Sequence, residues 1–379
     1  MNFTLQATCT SGLETVLKKE IFDLGFKIIR AGNGKVIFEA DSSAVARSNI
    51  FLRTADRIYI VLKEFPASDF DMLFEGVKTF DWENYINKNG RILVKGRSKD
   101  SKIHSVPVAQ SMTKKAIIER LLEKTGSEKI IEDGTAFPVE IELDFDIARL
   151  TLDTSGDALF KRGYRTETGD APIKETLAAG LVLLSGWKIN EPLIDPFCGS
   201  GTIPIEAAMI KNKIAPGLNR HFLSMKWDFL DKNIWNMAVE EALSIALHSE
   251  SVSIYGYDKD PVVIVKAVNN ALNAEVEDAV LFKNVDVNIL KLKNDYGTIV
   301  TNPPYGLRIG EKEELDSLLF RLSDIVAKKT GWSTNIITDH PAFEETFGTA
   351  SNKKRLYNGN IKCYYYSYLN NSGKRGEKK

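Results

Sequence analysis

The chain of 379 residues is poor in the residue types that define several classes of protein. It has 3 cysteines and 4 histidines, and Cys9, Cys198 and Cys363 are far apart and form no CxxC pair. This spacing supports neither a disulfide framework nor a structural zinc site, and we predict no metal site. No apolar run approaches the roughly 18–20 residues of a membrane span, and the first residues lack the layout of a signal peptide. These absences favour a soluble cytoplasmic protein with reduced thiols.

The net charge is also small, −1, because 50 basic residues balance 51 acidic ones. Nine basic and three acidic residues nevertheless occupy 91–124, and eight basic residues and one acidic residue occupy 353–379. Lys and Arg that neutralise phosphates supply sequence-independent affinity for nucleic acid. The first segment therefore predicts an RNA-binding surface or, alternatively, a solvated face, whereas for 372–379 we favour a solvated tail. The candidate RNA-binding residues are Arg91, Lys95, Arg97, Lys99, Lys102, Lys114 and Lys115.

The order of apolar patterns predicts two small α+β units followed by an α/β domain. Residues 1–65 alternate as β-α-β-β-α-β, the ferredoxin-like order, and 66–158 form a second unit with two helices and three strands. Residues 159–171 form a linker. In 172–379 short strands alternate with helices, which predicts a mostly parallel, doubly wound sheet with an antiparallel closing pair. The segment 212–250 is an insertion that caps a ligand, contacts RNA or only packs.

A glycine-rich turn follows the first strand of the α/β domain. The run DPFCGSGT at 195–202 ends an apolar strand and begins a helix, where backbone amides can hold a nucleotide-like ligand. The third glycine of a dinucleotide fingerprint is missing, since Pro204 stands there after Gly199 and Gly201. Asp195 would repel a pyrophosphate but suits a ligand with an ammonium group, such as the methionine end of S-adenosylmethionine.

Two further acidic residues end the next strands. Asp258 closes SIYGYD and could accept hydrogen bonds from ribose hydroxyls, and we expect Asp286 to end the strand AVLFKNVD and to accept one from an adenine amino group. Each Asp alone is a common solvated residue at a strand end. Three such residues in register after successive strands favour a ligand site.

The most specific pattern is NPPYG, from 302 to 306. Adjacent prolines end a strand rigidly and leave carbonyl groups unpaired. The side-chain oxygen of Asn302 and the carbonyl of Pro303 could accept two hydrogen bonds from one exocyclic amine, while Tyr305 stacks on the base. We therefore predict an amino-methylating site whose catalytic residues are Asn302, Pro303, Pro304 and Tyr305.

The chain resembles the THUMP-domain class I methyltransferases that modify guanine N2 of bacterial large-subunit ribosomal RNA. The resemblance is carried by LFKRGYR, APIKETLAAG, DPFCGSGTIPIEAA, YGYDKD, TNPPYGLRIG and RLYNGNIKCYYY. It implies a C-terminal Rossmann-like methyltransferase domain, S-adenosylmethionine as cofactor, and an N-terminal ferredoxin-like plus THUMP unit that binds ribosomal RNA. The implied cofactor-binding residues are Asp195, Pro196, Phe197, Gly199, Ser200, Gly201, Thr202, Asp258, Lys259, Asp286, Val287 and Asn302.

Three rival functions remain at this stage. Family members are often named adenine-N6 DNA methylases because NPPY is shared with those enzymes, and a tRNA guanine-N2 methyltransferase has a similar layout. A rival of another class is a non-catalytic RNA-binding factor for ribosome assembly. An RNA-binding half argues against DNA, and the intact glycine turn and NPPYG argue against a non-catalytic factor.

Overall fold

The computed structural model describes residues 2–166, 173–247, 251–304 and 311–369. Within these ranges the chain forms two seven-stranded sheets, one in each half. No helix in them is both long enough and apolar enough to span a bilayer. The predicted class, two α+β units before an α/β methyltransferase-type sheet, is confirmed.

The first sheet joins the ferredoxin-like unit to the second α+β unit, in the order β2-β3-β1-β4-β7-β6-β5. Its strands are β1 (Asn2–Thr8), β2 (Lys27–Gly32), β3 (Lys35–Asp41), β4 (Arg57–Pro66), β5 (Arg91–Lys99), β6 (Ala136–Asp144) and β7 (Ile147–Asp153), and its helices are α1 (Glu14–Asp23), α2 (Ser43–Phe51), α3 (Phe70–Lys78) and α4 (Val106–Thr125). Local residues determine where two of these helices begin or end. The Asp69 carboxylate accepts a hydrogen bond from the Met72 amide at 2.8 Å and caps α3. Helix α4 ends where Gly126 takes φ +66°.

This sheet is strongly curled. Lys35 Nζ on β3 lies 2.6 Å from Glu142 Oε1 on β6, although four strand positions separate the two strands. In a flat sheet four interstrand spacings would be roughly 19 Å. The face opposite α4 is therefore concave, and charged side chains meet across it.

The second sheet has the order β10-β9-β8-β11-β12-β14-β13. Its strands are β8 (Leu193–Asp195), β9 (Ile254–Asp258), β10 (Val280–Asn284), β11 (Tyr296–Thr301), β12 (Gly331–Thr338), β13 (Asn352–Asn358) and β14 (Ile361–Tyr368), and its helices are α5 (Glu175–Leu184), α6 (Thr202–Lys211), α7 (Asn233–Ile245), α8 (Pro261–Asn273), α9 (Glu311–Ala327) and α10 (Phe343–Phe347). Strands β8 to β12 are parallel, and β14 is antiparallel to β12 and β13 as predicted. Helix α5 was not predicted as an element.

The strand order determines where a ligand can bind. From β8 the chain continues to β9 and β10 on one side and to β11 and β12 on the other. In open parallel sheets, ligands bind outside the carboxyl ends of the strands at such a switch point. We call this end of the second sheet the carboxyl edge; the glycine turn after β8 and the NPP segment after β11 both lie there.

Candidate active site

The two glycines of the turn between β8 and α6 are required for different physical reasons. Gly199 takes φ +51° and Gly201 takes φ +86°, conformations that disfavour residues with a side chain. A Cβ on Gly201 would lie 2.8 Å from Phe282 Cζ and 3.0 Å from the Cβ of Ala267, so this glycine lets α6 pack closely. A Cβ on Gly199 would meet no atom within 4 Å. The backbone at Gly199 therefore faces open space in which a ligand can approach it.

Asp258 holds the turn in place. Its Oδ2 accepts a hydrogen bond from the Gly199 amide at 3.0 Å, and the Cys198 amide donates to the Tyr257 carbonyl at 2.9 Å. Its Oδ1 accepts from the Asp260 amide at 3.0 Å. The residue predicted as a ribose acceptor thus also joins the end of β9 to the turn after β8.

Asp195 is the most enclosed carboxyl group of the site, with 1% of its surface exposed. Its Oδ1 accepts hydrogen bonds from the Thr301 hydroxyl at 2.5 Å and from the Phe197 amide at 3.1 Å. Burial raises the pKa of Asp195 to about 7, although both hydrogen bonds oppose the shift. Asp195 therefore links the ends of β8 and β11, and its predicted contact with an ammonium group remains a proposal.

The expectation that Asp286 ends a strand is wrong. Strand β10 ends at Asn284, and Asp286 instead caps a short 3-10 helix, Val287–Ile289, by accepting a hydrogen bond from the Asn288 amide at 2.8 Å. The side chain prefers this local amide because Asp is a strong N-cap residue. Asp286 still lies at the carboxyl edge, because Asn284 pairs with Asp258.

The NPP segment follows β11 without a gap. Thr301 is the last strand residue, Asn302 is half-buried, Pro303 is buried and Pro304 is exposed. Tyr305, predicted to stack on the base, lies outside the described residues. Asn302 thus lies directly after β11, the strand that pairs with β8 on one side, and Asp258 ends β9, the strand that pairs with β8 on the other side.

The other predicted cofactor residues also surround the turn. Pro196, Ser200 and Thr202 are buried and Phe197 is half-buried. The Ser200 carbonyl accepts a hydrogen bond from Asn270 Nδ2 at 3.0 Å. The remaining two, the exposed Lys259 and the buried Val287, follow β9 and β10 at the same edge.

Comparisons with known proteins agree with this geometry. The model described as "RMKL-like, methyltransferase domain" matches residues 162–367, more than half of the chain. The chain belongs to the RMKL-like methyltransferase family. The models of the RlmL ferredoxin-like domain and of the THUMP domain match residues 4–59 and 67–153.

Several relatives of this methyltransferase are similar over almost its whole length. It is 44% identical to "Putative RNA methyltransferase YpsC" of Bacillus subtilis, over 97% of this chain and 96% of the relative. It is 35% identical to "Ribosomal RNA large subunit methyltransferase K/L" of Buchnera aphidicola, over 96% of this chain and 54% of the relative. The chain thus spans about half the length of that relative.

Two solved structures are also similar to the methyltransferase over almost its whole length. A "predicted N6-adenine-specific DNA methylase" of Listeria monocytogenes has a TM-score of 0.93 and 42% identity, covering 98% of this chain and 97% of the other. "SMU.472, a putative methyltransferase complexed with SAH" has a TM-score of 0.92 and 40% identity, covering 98% of this chain and 99% of the other. The name of the Listeria protein implies DNA, whereas the names of the Bacillus and Buchnera relatives imply RNA.

The methyltransferase has one group of residues near the glycine turn that sequence reasoning missed. Arg165 Nη2 lies 3.1 Å from Glu175 Oε2, and its Nη1 lies 3.4 Å from the Thr202 hydroxyl at the start of α6. Burial raises the pKa of Glu175 to about 7 in spite of this ion pair. The segment before α5 is thus attached through Arg165 to the start of α6. A lone cation in a segment rich in Gly and Thr was the sequence signal that could have identified it.

The adjacent buried ion pair joins the linker to α6. Arg162 Nε lies 3.4 Å from Glu206 Oε1, with 2% and 0% of the side chains exposed. The Tyr164 hydroxyl donates to the same oxygen at 3.1 Å, and Arg162 Nη2 donates to the Arg53 carbonyl of the ferredoxin-like unit at 2.5 Å. The segment 159–166 therefore connects both halves of the methyltransferase.

The predicted RNA-binding residues do not form one surface. Arg91, Lys95, Arg97 and Lys99 alternate along the edge strand β5 on the face opposite α4. Lys114 and Lys115 lie on α4 itself, where Lys114 is 2.9 Å from Glu132, and Lys102 lies in the loop before α4.

Arg97 is already balanced by carboxylates. It lies 3.0 Å from Glu142 and 3.5 Å from Glu140. No carboxylate lies within ion-pair distance of Arg91 or Lys95 in the part of the chain that the structure describes. Arg91 and Lys95 are thus the β5 cations most available to a phosphate group, whereas Arg97 and Lys99 already lie near carboxylates.

The described part of the insertion, 212–247, packs between the two halves. Trp227 is fully buried, stacks on Phe137 at 5.5 Å, and donates from Nε1 to the Ala136 carbonyl at 3.1 Å. On α7, Glu241 accepts two hydrogen bonds at 2.8 Å from the guanidinium of Arg47 on α2. Among the three roles considered from the sequence, the structure shows the packing role.

Proposed function

We propose that this chain uses S-adenosylmethionine to transfer a methyl group to the exocyclic N2 of a guanine in large-subunit ribosomal RNA. The observation that carries the proposal is the meeting of Asp195, Asp258 and Asn302 at one sheet edge, beside the open backbone of Gly199. The name of the K/L relative supports ribosomal RNA, and the SAH complex of SMU.472 supports the cofactor.

The residues around the glycine turn fit this cofactor. The uncrowded backbone of Gly199 suits a direct contact with the ligand. The buried carboxyl group of Asp195 suits an ammonium group, and the carboxylate of Asp258 at the end of β9 suits ribose hydroxyls. We infer that 195–197 and 199–202, with Asp258, Lys259, Asp286, Val287 and Asn302, hold it. When bound, S-adenosylmethionine supplies an electrophilic methyl group on a sulfonium.

The NPP segment is proposed to position the nitrogen that receives the methyl group. The Asn302 side-chain oxygen and the Pro303 carbonyl accept the two N–H groups of the amine, and the rigid Pro303-Pro304 pair fixes their direction. Tyr305 stacks on the flipped base, which offsets part of an extrusion cost of a few kcal/mol. Rate then comes from alignment and from the electrostatics around a nitrogen that gains positive charge.

The N-terminal half is proposed to hold the RNA. We infer a ferredoxin-like domain at 1–65, a THUMP domain at 66–158, a linker at 159–171 and the methyltransferase domain at 172–379, in a cytoplasmic enzyme. The seven cations predicted from the sequence contact phosphates in this proposal, with Arg91 and Lys95 of β5 contributing most because no carboxylate of the described residues pairs with them.

One other candidate has a specific observation in its favour. The Listeria structure carries the name of an adenine-N6 DNA methylase, and NPPY suits either exocyclic amine. The THUMP match at residues 67–153 favours RNA over DNA.

The test is transfer of labelled methyl from S-adenosylmethionine to protein-free ribosomal RNA, tRNA and DNA in parallel, with mass identification of the methylated nucleoside. We expect N2-methylguanosine from large-subunit RNA. N6-methyladenosine in DNA would contradict both the base and the polymer. Asn302→Ala should abolish turnover while SAH still binds, whereas the control Asn294→Ala, at the opposite edge of the sheet, should retain activity.

A further inference from the structure

The closing hairpin of the second sheet carries a regular pattern of cations and tyrosines. Strands β13 and β14 pair Lys353 with Tyr366, Arg355 with Tyr364 and Tyr357 with Lys362. Each cross-strand pair therefore places one cation opposite one tyrosine on the same face. Lys362 Nζ lies 5.3 Å from the centre of the Tyr364 ring. Lys362 and the neighbouring cations Lys353 and Arg355 lower the pKa of Tyr364.

The charge of this face is almost uncompensated. The sequence has no Asp or Glu from 346 to 369. Lys353 lies 2.9 Å from Glu344 on α10, but Arg355 and Lys362 are exposed and have no ion pair within the described ranges. Tyr357 and Tyr364 are half-buried, so part of each ring is accessible.

The pattern lies at the carboxyl edge, beside the NPP segment. Thr301, the last residue of β11, pairs with Ile336 of β12, and Tyr364 pairs with Thr338 at the end of β12. Lys362 and its partner Tyr357 therefore extend beyond the ends of β11 and β12. Two strand spacings, roughly 10 Å, separate β14 from β11.

The hairpin packs against α5 and against the ferredoxin-like unit of the N-terminal half. Its opposite face is buried through Leu356, Cys363 and Tyr365, and the Tyr365 hydroxyl donates to the Leu181 carbonyl of α5 at 2.7 Å. A Cβ on Gly12 of the ferredoxin-like unit would lie 2.5 Å from the Arg355 carbonyl, which shows how closely that unit approaches β13. RNA held by the N-terminal half can thus reach the NPP segment across the hairpin.

We propose that the cation–tyrosine face of the β13–β14 hairpin binds the single-stranded RNA nucleotides that flank the target base. Alternating cations and aromatic rings match the needs of an unpaired strand, because cations contact phosphates and rings stack on any base. The inference rests on the proposed function, since it takes the substrate to be RNA with an extruded base.

The test compares Arg355→Ala/Lys362→Ala with the control Lys291→Ala/Lys293→Ala, whose lysines are exposed before β11 at the opposite edge of the sheet. With in vitro transcribed large-subunit RNA, the hairpin variant should raise the KM for RNA about tenfold while kcat and the Kd for SAH stay unchanged. For this variant, the slope of log KM against log salt concentration should be smaller by roughly 1.4, because each lost contact with a single-strand phosphate removes about 0.7.

A second pair tests stacking. Tyr364→Ala should raise the KM for RNA roughly 5- to 160-fold and Tyr364→Phe should restore it, whereas the control Tyr296→Ala, which changes an exposed tyrosine at the start of β11, should have no effect. Failure of the wild-type enzyme to methylate any RNA would remove the proposed function and this inference with it. Methylation by the wild type, with hairpin and control variants equal in KM and salt dependence, would overturn the hairpin inference alone. Equal competition by DNA of the same sequence would overturn the assignment to RNA.

Discussion

Alanine at Gly199 and at Gly201 should have separable effects, because the two glycines are present for different reasons. Both have positive φ, so alanine costs roughly 1–2 kcal/mol of backbone strain at either position. Only at Gly201 does the new methyl group also approach other atoms, Phe282 Cζ at 2.8 Å and Ala267 Cβ at 3.0 Å. Overpacking of this kind adds about 1–3 kcal/mol. Gly201→Ala should therefore destabilise the enzyme by roughly 2–5 kcal/mol, and Gly199→Ala by about 1–2 kcal/mol.

Cofactor affinity should show the reverse order at a temperature where both variants are folded. The Gly199→Ala methyl group enters the open space in front of the backbone, so the Kd for SAH should rise at least about tenfold, a change of about 1.4 kcal/mol. Urea unfolding measures the stability, and titration calorimetry with SAH measures the affinity. Wild-type SAH affinity in Gly199→Ala would refute the assignment of this backbone to the cofactor site. Equal destabilisation of the two variants would refute the packing argument.

Three further predictions address the buried groups. Because burial raises the pKa of Asp195 from 3.8 to about 7, the folded state keeps a proton that the unfolded chain releases, so the contribution of Asp195 to stability falls as pH rises from about 4 to about 7. Asp195→Asn should reduce that slope in urea unfolding at a series of pH values, and an unchanged slope would contradict the assignment. Glu206→Leu should cost roughly 3–5 kcal/mol by leaving the buried Arg162 guanidinium without its carboxylate, whereas Arg162→Met/Glu206→Leu should cost much less; the double-mutant cycle with Arg162→Met measures the difference, and additivity would argue against the pair. Trp227→Ala should cost about 3–5 kcal/mol, and limited proteolysis should then cleave between the two halves, while Trp187→Ala, a half-buried tryptophan outside the insertion, serves as the comparison.

The sequence predicted those features whose causes are local in the chain. Apolar alternation indicated the ferredoxin-like order of 1–65, and the Asn358-Gly359 turn indicated the closing hairpin, because turn chemistry and side-chain period act over a few residues. The wrong prediction that Asp286 ends a strand also has a cause within a few residues of the chain. A capping side chain competes with the strand for its own neighbouring amides, and the apolar pattern does not record that competition.

The sequence by itself determined the residue types of the site: a carboxyl group at the end of each of two short strands, glycines in a turn and the NPP segment. Only the tertiary structure decided their partners. It buried Asp195 against Thr301, bonded Asp258 to the turn, attached Arg165 to the start of α6, and separated the predicted cations between β5, α4 and the loop before α4. It also placed the cations and tyrosines of the β13–β14 hairpin beside the NPP segment. These contacts join residues far apart in the chain, and they depend on the strand order and the curl of the sheets, which no local pattern specifies.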